Sequence, residues 1–198
     1  MQLLDRALQR ADVPEQLRTD SRGVVGDVSR LGEVVEDLLV AADPRRDDER
    51  TEVDLVELAA SAVASAEDHA RAAGVTLTAV PALERCPASV NPAALRRAVL
   101  ALVDNAIDHT PTHGQVRVGV ERRAREVVVS VSDTGPGISP EASQDLLRRF
   151  HSGGQRAGRA HYGLGLALTH DVANRHGGHL RLAPAEQGTT FELALPVA

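Results

Sequence analysis

The sequence predicts an α/β protein: a two-layer sandwich of a β-sheet and helices, preceded by an α-helical hairpin fragment. Three observations carry this. From Asp54 onward the elements run helix, strands, helix, hairpin, helix, hairpin, which is not strict βαβ alternation. Two of the helices have clear start signals, Asp54 with Glu57 and Asn91-Pro92. Ahead of them, Val24, Val28, Leu31, Val35 and Leu38 form a narrow apolar stripe of coiled-coil type.

In chain order, residues 1–43 read as helical, with a stub over Leu3 to Arg10, a break at Asp12-Val13-Pro14 and then a long amphipathic helix. Residues 44–53 read as a charged linker without apolar periodicity. The second domain is expected over 54–198. Its first helix carries Leu55, Leu58, Ala62 and Ala66 and ends near Ala73, before Gly74. Val75–Val80 is a strand candidate, and a short extended piece spans Cys86 to Val90. A helix then runs from Asn91-Pro92 through Leu95, Val99, Leu102 and Ala106 and stops before Pro111. Strands follow at Gln115–Glu121 and Glu126–Ser132, then a glycine-rich loop from Ser132 to Pro140. A polar segment at Ser152–Arg159 precedes a helix from about Gly163 to Gly177, and strands at His179–Ala183 and Thr189–Leu195 close the chain.

Composition removes several functions. All 22 basic residues are arginine, so a phosphate loop with an essential lysine and Schiff-base catalysis through lysine are both absent. The formal charge of −6 argues against general nucleic-acid binding. Tyr162, Phe150 and Phe191 are the whole aromatic complement, too few for base-stacking platforms. A single cysteine, Cys86, leaves no internal disulfide and no cysteine-rich metal cluster. No apolar stretch approaches the length of a membrane span, and the first residues do not read as an export signal. Pairs such as His109 and His113, or His176 and His179, sit at helix ends and turns with no further ligands to complete a zinc site.

Three segments are candidates for chemistry. Asn105 lies in Leu102-Val103-Asp104-Asn105-Ala106; its amide oxygen suits Mg²⁺, although a helical asparagine is more often simply solvated. Helical spacing puts Ala101, Asn105 and Asp108 on one face, with Asp104 about 100° away. Asp133-Thr134-Gly135-Pro136-Gly137 follows a strand; its carboxylate only accepts hydrogen bonds, as an exocyclic amine requires, and the same residues also suit a plain turn. Gly163-Leu164-Gly165-Leu166 opens a helix, where free N–H groups and the dipole favour phosphate, or where a tight loop simply meets a packed helix.

Taken together, these segments resemble the ATP-binding catalytic domain of bacterial sensor histidine kinases, within the gyrase, Hsp90, histidine kinase and MutL ATPase superfamily. The likeness covers about Asp54 to Pro196. Leu95–Pro111 resembles the asparagine box, Asp133–Gly137 the first glycine box, Arg149-Phe150 the phenylalanine box, Gly163–Leu166 the second glycine box and Gly188-Thr189-Thr190-Phe191 the closing G-T-x-F. The resemblance implies a Bergerat-type fold with a mixed sheet. It implies ATP and Mg²⁺ as ligands, with Asn105 on the metal and Asp133 on the adenine amine. Gly135, Gly137, Gly163, Leu164, Gly165 and Leu166 would line the nucleotide site, Thr189 would support the adenine end, and Phe150 would anchor a short ATP lid reaching to Tyr162. Asp104 takes the acidic position that helps activate the histidine that attacks ATP. Implied partners are a response regulator, histidine phosphotransfer helices and a second copy of the chain through the N-terminal helices, with no nucleic acid. The expected location is cytoplasmic, with a membrane anchor conceivable in a longer protein.

The front end, Leu17 to Ala42, resembles the second helix of the family's dimerisation and phosphotransfer domain. No histidine precedes His69, so the usual acceptor motif is missing and self-phosphorylation is not expected of these residues alone. The chain is expected to be part of a longer kinase, or else half of a split one. Ala101 stands where many members carry a second asparagine. Asp108 stands where many carry a cation, and a carboxylate there repels phosphate unless Mg²⁺ or an arginine intervenes. These departures leave a nucleotide-binding regulatory module without turnover as the rival reading.

Overall fold

The computed structural model describes residues 49–139 and 164–197. The expected N-terminal hairpin, the lid with Phe150, and Gly163 lie outside the described residues. Residues 49–198 form one compact unit.

Strand β1, Thr51–Asp54, opens the fold and pairs antiparallel with β3, Pro87–Val90. This corrects the expected linker, whose last residues are this strand. A strand with Val53 as its one large apolar residue has no periodicity to reveal it; pairing with β3 defines it. Helix α1, Leu55–Ala73, follows. Asp54 Oδ1 accepts from Val56 N and from Cys86 N, each at 3.0 Å, while Oδ2 accepts from Arg85 Nε at 3.1 Å. One carboxylate thus caps α1 and ties it to the loop before β3.

The Cys86 amide, with help from Arg85 and the Val56 amide, holds the Asp54 carboxyl below its usual range. A depressed pKa gives stability that is present above the ordinary carboxylate value and lost as pH falls through the folded value. Asp54→Ala is therefore expected to cost about 1–2 kcal/mol at neutral pH, the scale of a lost cap. The gap between the two proteins, followed by urea unfolding, should close as the pH drops below about 4.

The main sheet has the order β2-β4-β5-β7-β6: Thr76–Ala79, Gln115–Arg123, Glu126–Asp133, Thr190–Pro196 and His179–Ala183. Strand β2 is parallel to β4 and the other pairings are antiparallel, so the sheet is mixed as expected. Val116, Val118 and Val120 alternate with more exposed residues along β4; Val127, Val129 and Val131 on β5 and Phe191, Leu193 and Leu195 on β7 complete the buried face. Against that face pack α1, α2 (Pro92–His109) and α3 (Leu164–Arg175), with α2 between the other two. On the far face, Glu192 is 7% exposed, yet Arg123 and Arg181 both bond to it. Arg123 first, then Arg181, hold its carboxyl below the usual range.

Two contacts fix α2 relative to α3. Thr169 Oγ1, fully buried, donates to the Ala98 or Gly165 carbonyl, at 3.2 and 2.8 Å. His176, buried at the end of α3, donates from Nδ1 to the Val172 carbonyl at 2.8 Å and accepts at Nε2 from Asn91 N at 2.9 Å. Asn91 in turn caps α2 by accepting from Ala94 N at 2.9 Å. The middle helix, which bears Asn105, is thus tied to α3 at two points.

Candidate functional site

The candidate residues gather around one face of α2. At one end of that face, Gly165, near the start of α3, lies against Ala101: a Cβ on Gly165 would sit 3.3 Å from the Ala101 Cβ. The small side chain at 101 is what lets the helix start approach. At the other end, the loop after β5 lies against the end of α2, where a Cβ on Gly135 would overlap the His109 carbonyl oxygen. Asn105 falls between these contacts, one helical turn from each, about 6 Å along the axis. Its side chain is half-buried and forms no hydrogen bond among the described residues.

Asp133 closes β5 and is 7% exposed. Its Oδ1 accepts from Gly135 N at 2.8 Å and from Thr189 N at 3.2 Å, while its own amide donates to the Thr189 carbonyl at 2.9 Å. Both bonds fall on Oδ1; among the described residues Oδ2 carries none. The carboxylate is therefore anchored by one oxygen and offers the other as an acceptor. Gly137 has its Cα beside the Gly188 carbonyl, with a Cβ position 3.1 Å from it. The glycines of this loop serve packing of backbone on backbone, a reason that spacing alone does not disclose. Asp108, His109, Thr110, Pro111, Thr134, Gly135 and Pro136 line an open depression of about 530 Å³ beside this carboxylate.

The structure brings Asn105, Asp133, Gly135, Gly137, Thr189 and Gly165 to the α2 face and the loops around it. Leu166 is buried in the core at 3% exposure, so its side chain serves packing. Leu164 is the first residue of α3. Asp104 points to the α1 side, as its 100° displacement from the Asn105 face requires. There it meets a residue that sequence reasoning missed. His69, on α1, places Nδ1 at 3.0 Å from Asp104 Oδ1 and Nε2 at 3.1 Å from Asp108 Oδ1. The bond to Asp104, then that to Asp108, pushes the imidazole pKa up to about 10. No periodic signal marks such a pairing, because the partners lie 35 residues apart in the chain.

Comparison with known proteins identifies the family and the fold. The family of histidine kinase-, DNA gyrase B- and HSP90-like ATPases matches residues 90–198. The sensor-like histidine kinase SenX3 of Mycobacterium tuberculosis is 31% identical over 201 residues, covering 98% of this chain and 48% of that protein. The adaptive-response sensory kinase SasA of a Synechocystis species is 38% identical over 106 residues, covering 52% of this chain and 27% of that protein. The chain thus spans at most about half the length of these curated relatives. Among solved structures, the nucleotide-free catalytic domain of histidine kinase ThkA is 25% identical with a TM-score of 0.65, over 75% of this chain and 95% of that one. ThkA in complex with the response regulator protein TrrA gives a TM-score of 0.71 at 22% identity, over 99% of this chain and 56% of that one, a likeness of fold. Matched over more than half its length by that family's model, this chain belongs to the family of histidine kinase-, DNA gyrase B- and HSP90-like ATPases.

Proposed function

We propose that this chain is the ATP-binding catalytic module of a two-component sensor histidine kinase. The observation that carries the reading is the meeting of α3's start and the Asp133 loop on the α2 face around Asn105. In this reading Asp133 accepts the exocyclic amine of adenine through Oδ2, and the loops at Gly135, Gly137 and Thr189 shape the purine end. The first amides of α3, at Leu164, Gly165 and Leu166, face the phosphates, and Gly163 precedes them in the sequence. Phe150 anchors the lid.

The amide oxygen of Asn105, which accepts no hydrogen bond among the described residues, suits Mg²⁺. Among the described residues no group of three His, Cys, Asp or Glu side chains is arranged to hold a metal. A cation here would therefore owe its other ligands to phosphate oxygens and water. When bound, Mg²⁺ supplies charge neutralisation to the triphosphate.

The γ-phosphoryl group passes to a ring nitrogen of a histidine on a phosphotransfer helix, and ADP leaves. That histidine comes from a longer chain or a partner, since none precedes His69. Asp104 accepts the proton that the attacking imidazole sheds, and this chain contributes chiefly positioning and charge balance. The phosphoryl group then goes to an aspartate of a response regulator; the kinase ThkA has been solved with such a regulator. Residues 1–43, which read as helical in the sequence, are where a homodimer contact would form. A cytoplasmic setting suits an ATP-consuming module, and among the described residues no helix is long and apolar enough to cross a membrane.

The test is transfer from γ-labelled ATP to an acceptor domain supplied in trans. The unaltered chain is expected to label the acceptor, and Asn105→Ala to do so at least about 100-fold more slowly. No labelling by the unaltered chain, or equal labelling by the variant, would overturn the reading. Nucleotide binding without transfer to any acceptor would select a regulatory module instead.

A further inference from the structure

Asn105 is flanked by acid on α2. Asp104 precedes Asn105, and Asp108 lies nearly one turn further on, at the rim of the depression shared with Thr134 and Gly135. A phosphate chain approaching Asn105 enters the field of both carboxylates, Asp108 on the Asn105 face and Asp104 on its α1 side, and like charges repel. Arg96, an α2 cation about two and a half turns before Asn105, bonds to Ser61 and Ser65 on α1.

His69 faces these acids. Its two ring nitrogens each meet one carboxylate oxygen, at 3.0 and 3.1 Å. A neutral imidazole has one N–H, and an ionised carboxylate only accepts. Both contacts are hydrogen bonds only when the ring is an imidazolium. An ordinary surface ion pair joins one cation to one acid; here one cation spans two acids, i and i+4 on a single helix. The bridge also turns both carboxylates toward α1.

We propose that His69 is a positioning residue of the nucleotide site, which by bridging Asp104 and Asp108 balances their charge and lets the phosphate chain of a nucleoside triphosphate reach Asn105. The role rests on the nucleotide-binding function proposed above. The same bridge holds Asp104 in one orientation. His69 touches no phosphate itself and acts through the two acids.

Calorimetric titration of the full chain with MgATP tests this. His69→Gln keeps a hydrogen-bonding side chain and removes the charge. It is expected to raise Kd about 10-fold in dilute buffer, and by less in 0.5 M salt, where the Debye length shrinks to a few ångströms. Asp108→Asn added to His69→Gln is expected to recover most of the loss, a rescue that a merely structural role for the histidine would not give. Asp108→Asn alone should bind at least as tightly as the unaltered chain. Unchanged affinity in His69→Gln, a loss that Asp108→Asn does not recover, or weaker binding by Asp108→Asn alone would each overturn the proposal. If the unaltered chain binds no MgATP, the nucleotide function itself falls. If it binds, and Asp133→Asn weakens binding while His69→Gln does not, the role of His69 alone falls.

Discussion

Asp133→Asn is expected to lower ATP affinity about 100-fold while leaving the fold in place. The two functions of this side chain fall on different oxygens. Oδ1 accepts from the Gly135 and Thr189 amides, and an asparagine can keep both bonds with its own carbonyl oxygen. Oδ2 is replaced by an NH₂ group, so a donor then faces the adenine amine, which is also a donor. Losing a charge-assisted bond and opposing two donors costs about 2.7 kcal/mol, or a factor of about 100. A 6-oxo purine presents an acceptor at that position, so ITP should lose much less than ATP, and the ratio of their affinities should move toward ITP. Competition binding with the two nucleotides measures the ratio directly. Equal losses for both would mean that Oδ2 does not read the purine edge. Asp133→Ala is a poorer probe, because it also releases the two backbone amides from Oδ1.

The parts of this architecture that were readable in the sequence are those with local signals. Asp54 and Asn91 announce α1 and α2 because a capping side chain bonds within three residues of itself. Strands β4 and β5 announce themselves by alternation, since one face meets the helices and the other does not. The motifs that point to Asn105 and Asp133 are an amide on a helix and a glycine-rich loop, and the structure sets the end of α2, one turn beyond Asn105, against the loop that follows Asp133. What escaped is non-local. β1 has too few residues to show a period. His69 meets its acids from another helix, and His176 meets the Asn91 amide across 85 residues. The buried Glu192 is another such case: it reads as the polar side of an alternating strand, and it is covered by Arg123 and Arg181 from two other strands. Such contacts arise only once the layers have packed.

Gly188→Ala is expected to be among the most damaging single-methyl changes in the described part of the chain. Gly188 has φ +71°, a conformation that costs an L-residue about 1–2 kcal/mol. Gly177 has nearly the same φ, +73°, but a Cβ there would make only an ordinary contact, 3.7 Å from Pro196 Cγ. At Gly188 the added carbon would overlap the Asp133 carbonyl oxygen and lie 2.9 Å from Asp133 Oδ1. Neither obstacle is the end of a flexible side chain. The carbonyl belongs to the last residue of β5, and the carboxylate is held by two amides, so relief requires moving the start of β7 away from β5. Gly177→Ala should therefore cost about 1 kcal/mol, and Gly188→Ala about 4 kcal/mol or more, the range of severe overpacking added to backbone strain. For a domain of this size that corresponds to a fall in Tm of roughly 10 °C. The displacement also draws the Thr189 amide off Asp133 Oδ1, so nucleotide affinity should drop in the folded fraction of Gly188→Ala and not in Gly177→Ala. Thermal denaturation of the pair, each with and without saturating ATP, separates the two effects: ligand should raise the Tm of Gly177→Ala by as much as in the unaltered chain and raise that of Gly188→Ala by far less. Equal stability in the two variants would show that β7 has room to shift, and that the close approach of Gly188 to Asp133 does not hold the purine end of the site in place.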